Sequence, residues 1–468
     1  MFGNIKSKIE KFDIQEINES ARHQKPRSLF YLWFGSNLTV ADFIIGSDFL
    51  LGYLSNLYMI IALVIANAGG AALLAFMSIL GPLKGRSQMA LSEGAYGVAG
   101  GKAMSLLQFI NTGGWLTVNL IIASQALLFL MSSGATQGFG TSSLFDLFAI
   151  GSIIVVSLAV FLLAFFGHSI IKAFETVMSV VLGLMFTYII LNVLIFHMSD
   201  VINQSNSITT FSWISFGAVI MLTFSYIMSW GPYASDYSRY IPRNEKLWKS
   251  FLYTFMGGFL ASIGAEFAGL LAAYVLGTSS SSDSIFFPVL GAFWFIGPIA
   301  LLLGGIAANS LNLYSNFLSL KTIVTRASKL PIILIVSLAS IVMAVLFYGD
   351  FTGFYETFLY ILDYWITPWI GVMIAEFLIM KAGDHERKSV TWPILISYLL
   401  SIAVSYPFMN TIEYYKLGGI HLPFYTLLGG VDISYIVSFF SAVILTVFVE
   451  IFVFKRKIIW KGTKGADA

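Results

Sequence analysis

Long apolar stretches recur along almost the whole chain, and short polar segments separate them. A helix needs about 20 apolar residues to cross the hydrocarbon core of a bilayer. The pattern therefore predicts an all-α polytopic membrane protein with 12 transmembrane helices. The predicted spans, numbered in this order, are 30–52, 54–80, 103–132, 146–166, 170–196, 211–236, 248–276, 287–317, 331–349, 352–380, 391–409 and 431–454.

Spans one and six contain residues that interrupt an otherwise apolar helix. Span one reads WFGSNLTVADFIIG at 33–46, and span six runs into FSYIMSWGPYASDYSRY at 224–240. Two interrupted helices five spans apart, in opposite orientation, are typical of an inverted repeat whose broken helices surround a midplane site. In span six we expect the helix to unwind at residues 224–226, with Gly231-Pro232 as a second bend in the cytoplasmic half.

Spans three and eight match in the same way. INTGGWLTVN (110–119) and GGIAANSLNLYSN (304–316) each carry a glycine pair followed by asparagines. Irregular backbone at membrane depth is tolerated only where protein or a cavity covers it, so these segments point to a solute pathway. The predicted organisation is a tail (1–29), two repeats (30–196 and 211–380), two peripheral helices (391–454) and a second tail (455–468).

Composition and charge placement agree with this topology. Of the 468 residues 57% are hydrophobic and 11% charged, which excludes a soluble globular domain. Cationic loops stay on the cytoplasmic side of a membrane. With both ends inside, every Lys and Arg except Lys416 falls in an inner segment. We therefore expect a multi-pass protein of the plasma membrane with both termini cytoplasmic.

Charge and cysteine content narrow the class of partner. The net charge of +2 gives no argument for nucleic-acid binding, because the cations serve membrane orientation. The sequence contains no cysteine, which excludes disulfides and thiolate metal sites.

Six segments resemble the nucleobase:cation symporter-1 family, and specifically its purine–cytosine permease branch. They are WFGSNLTV (33–40), GPLKGRSQMALSEGAYG (81–97), GGWLTVN (113–119), SYIMSWGPYASDYSRYIP (225–242), ANSLNLYSNFLSL (308–320) and GGVDISYIV (429–437). The resemblance implies a LeuT-like 5+5 inverted repeat plus two peripheral helices, with discontinuous helices 1 and 6. It also implies that the protein imports a heterocyclic small molecule together with H⁺ or Na⁺ and needs no further cofactor. The expected state is a monomer in the lipid bilayer.

A nucleobase site requires an aromatic platform and side-chain amides, because bases stack on rings and carry donors and acceptors on their edges. Trp115 and Asn119 lie four residues apart and therefore on one helical face. By the resemblance Trp115 is the platform, and the edge-contacting amides are Asn119, Asn309 and Asn312. The alternative is a packed tryptophan and interhelical amide hydrogen bonds. The other substrate-binding candidates, at the two breaks, are Asn37, Thr39, Phe224, Ser225, Tyr226 and Trp230.

For a coupling ion the resemblance implies a Na⁺ site between the break in span one and span eight. Its positions are Gly35, Leu38, Gly304, Ala307 and Ala308, of which the first two offer backbone carbonyls. The Na⁺-coupled pattern has hydroxyls at the last two positions, and hard cations prefer oxygen ligands. This chain has alanines there, so H⁺ becomes the favoured ion and Na⁺ the alternative.

Proton coupling requires an ionisable side chain inside a span, where acidic residues are rare and functional by default. Three residues qualify, namely Asp42 in span one, Glu266 in span seven and Asp363 in span ten. Glu266 ranks first, because it also resembles an acidic position common in this branch. The alternative role for each is a structural hydrogen bond.

Secondary active transport is the predicted function, and other classes lack their motifs. The sequence contains neither a G-x-x-x-x-G-K-[ST] nucleotide loop nor an H-E-x-x-H metal motif, so we do not expect an enzyme. A channel would favour symmetry among subunits over an inverted repeat. Within the transporter class, the alternative substrates are allantoin, a hydantoin, a thiamine-precursor pyrimidine or amino acids.

Overall fold

The computed structural model describes residues 13–49, 56–131, 143–206, 211–276, 293–383, 388–410 and 422–456. Every regular element in these ranges is helical. The predicted tail segments 1–12 and 457–468 and Lys416 lie outside the described residues. The helices are α1 (Ser28–Asn37), α2 (Val40–Ile44), α3 (Asn56–Lys84), α4 (Gln88–Met131), α5 (Ser143–Phe166), α6 (His168–Phe196), α7 (Met198–Asn206), α8 (Trp213–Met228), α9 (Ala234–Ser238), α10 (Leu247–Leu276), α11 (Ile296–Ile323), α12 (Lys329–Phe347), α13 (Phe351–Ile374), α14 (Trp392–Ser405), α15 (Pro423–Leu427) and α16 (Ser434–Phe452).

The helices confirm an all-helical polytopic chain. Within the described ranges, 10 helices are long and apolar enough to cross a membrane, and the bent pair α1 and α2 raises the number to 11. The predicted span at 391–409 corresponds to a shorter apolar helix, Trp392–Phe408. The count of 12 spans, first made from the sequence, therefore stays a prediction.

Span one is broken where the sequence predicts. α1 ends at Asn37, and both Leu38 (φ −77°, ψ 68°) and Thr39 (φ −117°, ψ 165°) leave the helical conformation. The Thr39 hydroxyl then caps α2 by accepting from the backbone N–H of Asp42 at 3.3 Å. The two halves differ in direction by 56°. The break leaves the carbonyl end of α1 and the N–H end of α2 inside the protein.

Span six is also discontinuous, but the predicted unwinding at residues 224–226 is wrong. α8 continues through these residues, and the Ser225 hydroxyl donates to the Met221 carbonyl at 2.7 Å, a bond compatible with a helix. The helix ends at Met228, and a 3₁₀ turn, Gly231–Tyr233, leads into α9. The physical reason is local, because Pro232 has no N–H to donate to the preceding turn.

The two breaks lie within a group of closely packed central helices. α4 packs along α11, α3 contacts both α8 and α10, and α1 contacts α6, α10 and α11. α2 contacts α4 and α10. At the periphery, α14 and α16 pack against each other and against α13. The central packing brings polar residues of distant spans together. The division into repeats 30–196 and 211–380 stays a prediction.

Candidate functional site

An aromatic cluster surrounds Trp115 on α4. The Trp115 ring meets Tyr226 of α8 at a centroid distance of 5.4 Å and an interplanar angle of 87°. Phe358 and Tyr355 of α13 meet it at 5.2 Å and 6.1 Å, at angles of 76° and 71°. These are edge-to-face contacts, which stabilise aromatic pairs. The indole N–H of Trp115 is buried and has no hydrogen-bond partner among the described residues.

A row of amides joins α4 to α11 next to this cluster. The Asn119 side chain donates to the Trp115 carbonyl at 3.0 Å. The Asn309 side chain donates to the Leu116 carbonyl at 3.0 Å, and Asn312 donates to the Asn309 side-chain oxygen at 3.0 Å. The side-chain oxygen of Asn312 has no partner in the described part of the chain. Asn309 and Asn312 thus form a hydrogen-bonded row against α4 that retains a free acceptor on Asn312, and Asn119 bonds within α4 close in sequence to Leu116.

The break in span one joins the same group of residues. The Thr39 hydroxyl and the Tyr226 hydroxyl are 2.7 Å apart, which links the break to α8 and through Tyr226 to Trp115. The Asn37 amide donates to the Trp33 carbonyl at 2.7 Å. Its side-chain oxygen is buried without a partner among the residues described. The bond between Thr39 and Tyr226 therefore links the break in span one to the aromatic cluster around Trp115.

The other candidates of span six occupy different faces of the helix. Phe224 packs against Tyr435 of α16 at a centroid distance of 4.9 Å. The Ser225 hydroxyl oxygen and an oxygen of the Asp363 carboxyl are 2.5 Å apart. Trp230 lies beyond the end of α8, where its ring meets Trp33 at 5.6 Å. Of the four candidates in this stretch, Tyr226 is the one whose ring contacts Trp115.

Two of the three predicted acidic residues meet in a carboxyl pair, Asp42 and Glu266, between α2 and α10. Both are fully buried, and their side chains interact with each other. Asp42 accepts from the Ser262 hydroxyl at 2.5 Å, and Glu266 accepts from the Asn67 amide at 2.5 Å. Asp363 stands apart with its hydrogen bond to Ser225, so the packing separates the third candidate from the carboxyl pair.

Of the predicted cation positions, Leu38 and Gly304 lie close together, whereas Gly35 packs against Glu175 and Ser179 of α6. A Cβ placed on Gly304 would lie 2.6 Å from the Leu38 carbonyl oxygen, so α11 approaches the broken end of α1 closely. Ala307 and Ala308 are buried. Among the described residues there is no group of three or more His, Cys, Asp or Glu side chains that could hold a metal ion. Any cation here would depend on backbone carbonyls and isolated side-chain oxygens.

Sequence reasoning missed several side chains that complete this region. Tyr355 and Phe358 were not singled out, although two aromatics three residues apart share one face of a helix. Glu175 was also missed, yet it is an acidic residue inside an apolar span and meets the rule that selected Glu266. It is fully buried on α6, beside Gly35.

Comparison with known protein families gives one match across most of the chain. Residues 16–438 match the family described as permease for cytosine/purines, uracil, thiamine, allantoin. YxlA of Bacillus subtilis (strain 168), which has the provisional name purine-cytosine permease, is 28% identical over 459 residues, covering 92% of this chain and 93% of its own. The purine-cytosine permease fcyB of Emericella nidulans is 25% identical over 401 residues, covering 80% of this chain and 74% of its own.

Among solved structures, the fold is similar to that of Mhp1, a nucleobase-cation-symport-1 family transporter in a closed conformation with bromovinylhydantoin bound. The TM-score is 0.74 at 17% identity, with 96% of each chain covered. This likeness confirms the LeuT-like fold that the resemblance implied.

Proposed function

Because the chain belongs to the family of permeases for cytosine/purines, uracil, thiamine and allantoin, and is therefore a multi-pass membrane transporter and not an enzyme, we propose that it imports cytosine, purines or both by cation symport. The observation that supports this substrate class is the meeting of Trp115 and Tyr226 with the asparagine row beside the break of span one. The relatives named as purine-cytosine permeases point to the same substrates.

The side-chain oxygens of two candidate residues have no partner within the described residues, namely Asn312 and Asn37. Buried polar groups without partners are costly, so a ligand that supplies hydrogen-bond donors would relieve them. A nucleobase carries N–H donors on its rim, and its ring would stack on the face of the Trp115 indole for about 1–3 kcal/mol.

The coupling ion that we propose is H⁺, and the carboxyl pair of Asp42 and Glu266 would carry it. Two adjacent carboxylates repel each other strongly in a buried site, and one shared proton removes that repulsion. Asp42 lies in the first turn of the helix that Thr39 caps, and Thr39 bonds to Tyr226 of the aromatic cluster. Protonation of the pair and occupancy of the substrate site would therefore act on the same short segment of backbone.

The transport cycle would use alternating access around the two broken spans. Loops rich in Lys and Arg face the cytoplasm in this arrangement, and we propose the cell membrane as the location, with both termini cytoplasmic. The site belongs to one chain, so a monomer in the lipid bilayer suffices. The repeats at 30–196 and 211–380 would move relative to each other.

Uptake by the purified protein in proteoliposomes tests this proposal. Labelled cytosine, adenine and hypoxanthine would be offered under an imposed pH gradient, an imposed Na⁺ gradient, or neither. We expect accumulation above equilibrium for at least one base with the pH gradient. Accumulation that follows neither gradient would contradict symport, and accumulation with the Na⁺ gradient alone would contradict H⁺ coupling.

A competition screen tests the substrate class. Quenching of tryptophan fluorescence would be measured for nucleobases, allantoin, hydantoins and amino acids. We expect a nucleobase to compete best. Tighter binding of a hydantoin or allantoin would assign the chain to another heterocycle of this family, which is the second candidate because such substrates are also flat and rimmed by donors and acceptors.

A further inference from the structure

Asp363 is a fully buried carboxyl on α13 that the proposed transport mechanism does not use. One of its side-chain oxygens lies 2.5 Å from the Ser225 hydroxyl of α8. The other oxygen, Oδ1, has no hydrogen-bond partner among the described residues. Within the same ranges, no Lys, Arg or His forms an ion pair or hydrogen bond with this carboxyl. An ionised carboxylate buried without a positive partner is costly, so these surroundings favour a neutral, protonated Asp363.

The hydrogen bonds of Ser225 locate the proton. A serine hydroxyl carries a single hydrogen, whereas a backbone carbonyl can only accept. The Ser225 hydroxyl donates its hydrogen to the Met221 carbonyl at 2.7 Å. Two oxygens 2.5 Å apart require a hydrogen between them, and Ser225 has none left to give to Asp363. The hydrogen of this contact therefore belongs to the carboxyl, with Asp363 as the donor and Ser225 as the acceptor.

A second carboxyl, Asp432, lies beside Asp363 and has the surroundings of an ionised group. It accepts from the backbone N–H groups of Ser434 at 2.8 Å and Asn410 at 2.5 Å, and from the Tyr364 hydroxyl at 3.0 Å. Three donors satisfy a carboxylate, and the N-terminus of α16 directly after it favours a negative charge. The two carboxyls interact electrostatically, and a charge on Asp432 disfavours a second charge on Asp363.

The other helices around Asp363 bring no alternative partner. Tyr435 of α16 is the further titratable side chain that interacts with it. α3, α4 and α14 also pack against α13, and they direct no charged or titratable side chain at Asp363 in the described part of the chain. Of the two carboxyls only Asp432 contacts solvent, with 5% of its surface exposed, which makes it the side from which a proton can enter.

We propose that Asp363 is a proton-binding site, separate from the carboxyl pair, and that its proton links α13 to α8 beside the substrate site. The bond to Ser225 reaches α8 one residue before Tyr226, whose ring contacts Trp115. Loss of the proton would leave a carboxylate facing the lone pairs of the Ser225 oxygen, which removes this link between the helices. The proton therefore stabilises the arrangement of α8 that holds Tyr226 against Trp115.

Infrared spectroscopy of the purified protein, without any base, tests the site. A protonated carboxyl has a carbonyl stretching band that an ionised carboxylate lacks, and the bands of other buried carboxyls cancel in difference spectra between variants. We expect the wild-type spectrum at neutral pH to contain a band that is lost in Asp363→Asn and kept in Asp432→Asn. In Ser225→Ala the same band should shift in frequency, because the carboxyl proton loses its acceptor.

Two results of this experiment would overturn the proposal. One is an Asp363→Asn spectrum that has lost no protonated carboxyl, and the other is loss of the band in Asp432→Asn instead. If Asp363→Asn does not fold, Ser225→Ala decides, since an unshifted spectrum would show that Asp363 donates no hydrogen to Ser225.

Binding of labelled base at neutral and alkaline pH tests the link to α8, and this part rests on the proposed function. Asp363→Asn imitates the protonated form, since an amide N–H can donate to Ser225. The affinity of the wild type should fall at least about fivefold at alkaline pH, a usual size for coupling between two sites, and that of Asp363→Asn should fall less. Glu93→Gln is the control, because Glu93 pairs with Arg86 at 3.1 Å and its variant should follow the wild type.

The outcomes of the binding experiment separate the two proposals. Equal falls in affinity for the wild type and Asp363→Asn would overturn the link between this proton and α8. Failure of every base to bind at either pH would contradict the proposed substrate class, and the infrared spectra, recorded without base, would still decide whether Asp363 holds a proton.

Discussion

Replacing Trp115 tests whether the aromatic cluster is the platform for a base. In Trp115→Ala the substrate loses its stacking surface, and the rings at 5.4, 5.2 and 6.1 Å lose their common neighbour. Base–aromatic stacking contributes about 1–3 kcal/mol. Since 1.4 kcal/mol corresponds to a factor of ten, the dissociation constant of the preferred base should rise about 5- to 140-fold. Trp115→Phe keeps an aromatic face and should lose less.

The assay is equilibrium binding of the labelled base to purified protein, with thermal unfolding measured on the same samples. Truncation of a buried aromatic also destabilises the fold, by about 3–5 kcal/mol. Trp392→Ala is the control, because Trp392 is 63% exposed on the outer surface of α14 and its loss should leave affinity unchanged. A folded Trp115→Ala protein that binds the base within twofold of wild type would refute the stacking role.

Three further outcomes follow from named contacts. Glu266→Gln should abolish the response of uptake to an imposed pH gradient while exchange of internal for external base persists, because the carboxyl pair loses its shared proton. Gly304→Ala should slow transport at least about tenfold with little change in expression, since its methyl group would lie 2.6 Å from the Leu38 carbonyl. Thr39→Val and Tyr226→Phe should each lower the free energy of unfolding by about 1–3 kcal/mol but combine non-additively, because both remove the hydrogen bond of 2.7 Å between the two hydroxyls, and Thr39→Val also removes the cap of α2.

For each of these variants, one experimental result would contradict the reasoning behind the prediction. A Glu266→Gln protein that still accumulates base with the pH gradient would exclude the carboxyl pair as the coupling group. Wild-type transport by Gly304→Ala, compared with Gly264→Ala, whose methyl group meets nothing within 4 Å, would show that close approach of α11 to α1 is unnecessary. Additive effects in the Thr39 and Tyr226 cycle would show that the two hydroxyls act independently.

Comparison of the two broken spans shows where the residues of a helix are by themselves sufficient to predict its break. The break in span one is visible in its polar residues, and the structure places it at Leu38 and Thr39. In span six the match to span one placed the expected break at residues 224–226, whereas the backbone chemistry of Pro232 favours the later position that the structure shows. The N–H group that proline lacks would have bonded within its own helix. The effect of Pro232 on that helix can therefore be predicted without knowing which helices pack around it.

The sequence by itself determined which stretches are helical and which of them can span a membrane, because length and apolarity act locally, and its cationic loops predict which segments face the cytoplasm. Only the tertiary structure decided which polar residues meet. It joined Asp42 to Glu266 and Thr39 to Tyr226, set Asp363 apart, and enclosed Glu175 beneath Gly35. These partners are separated by long stretches of chain, and their contacts arise from helix packing, which no local periodicity encodes.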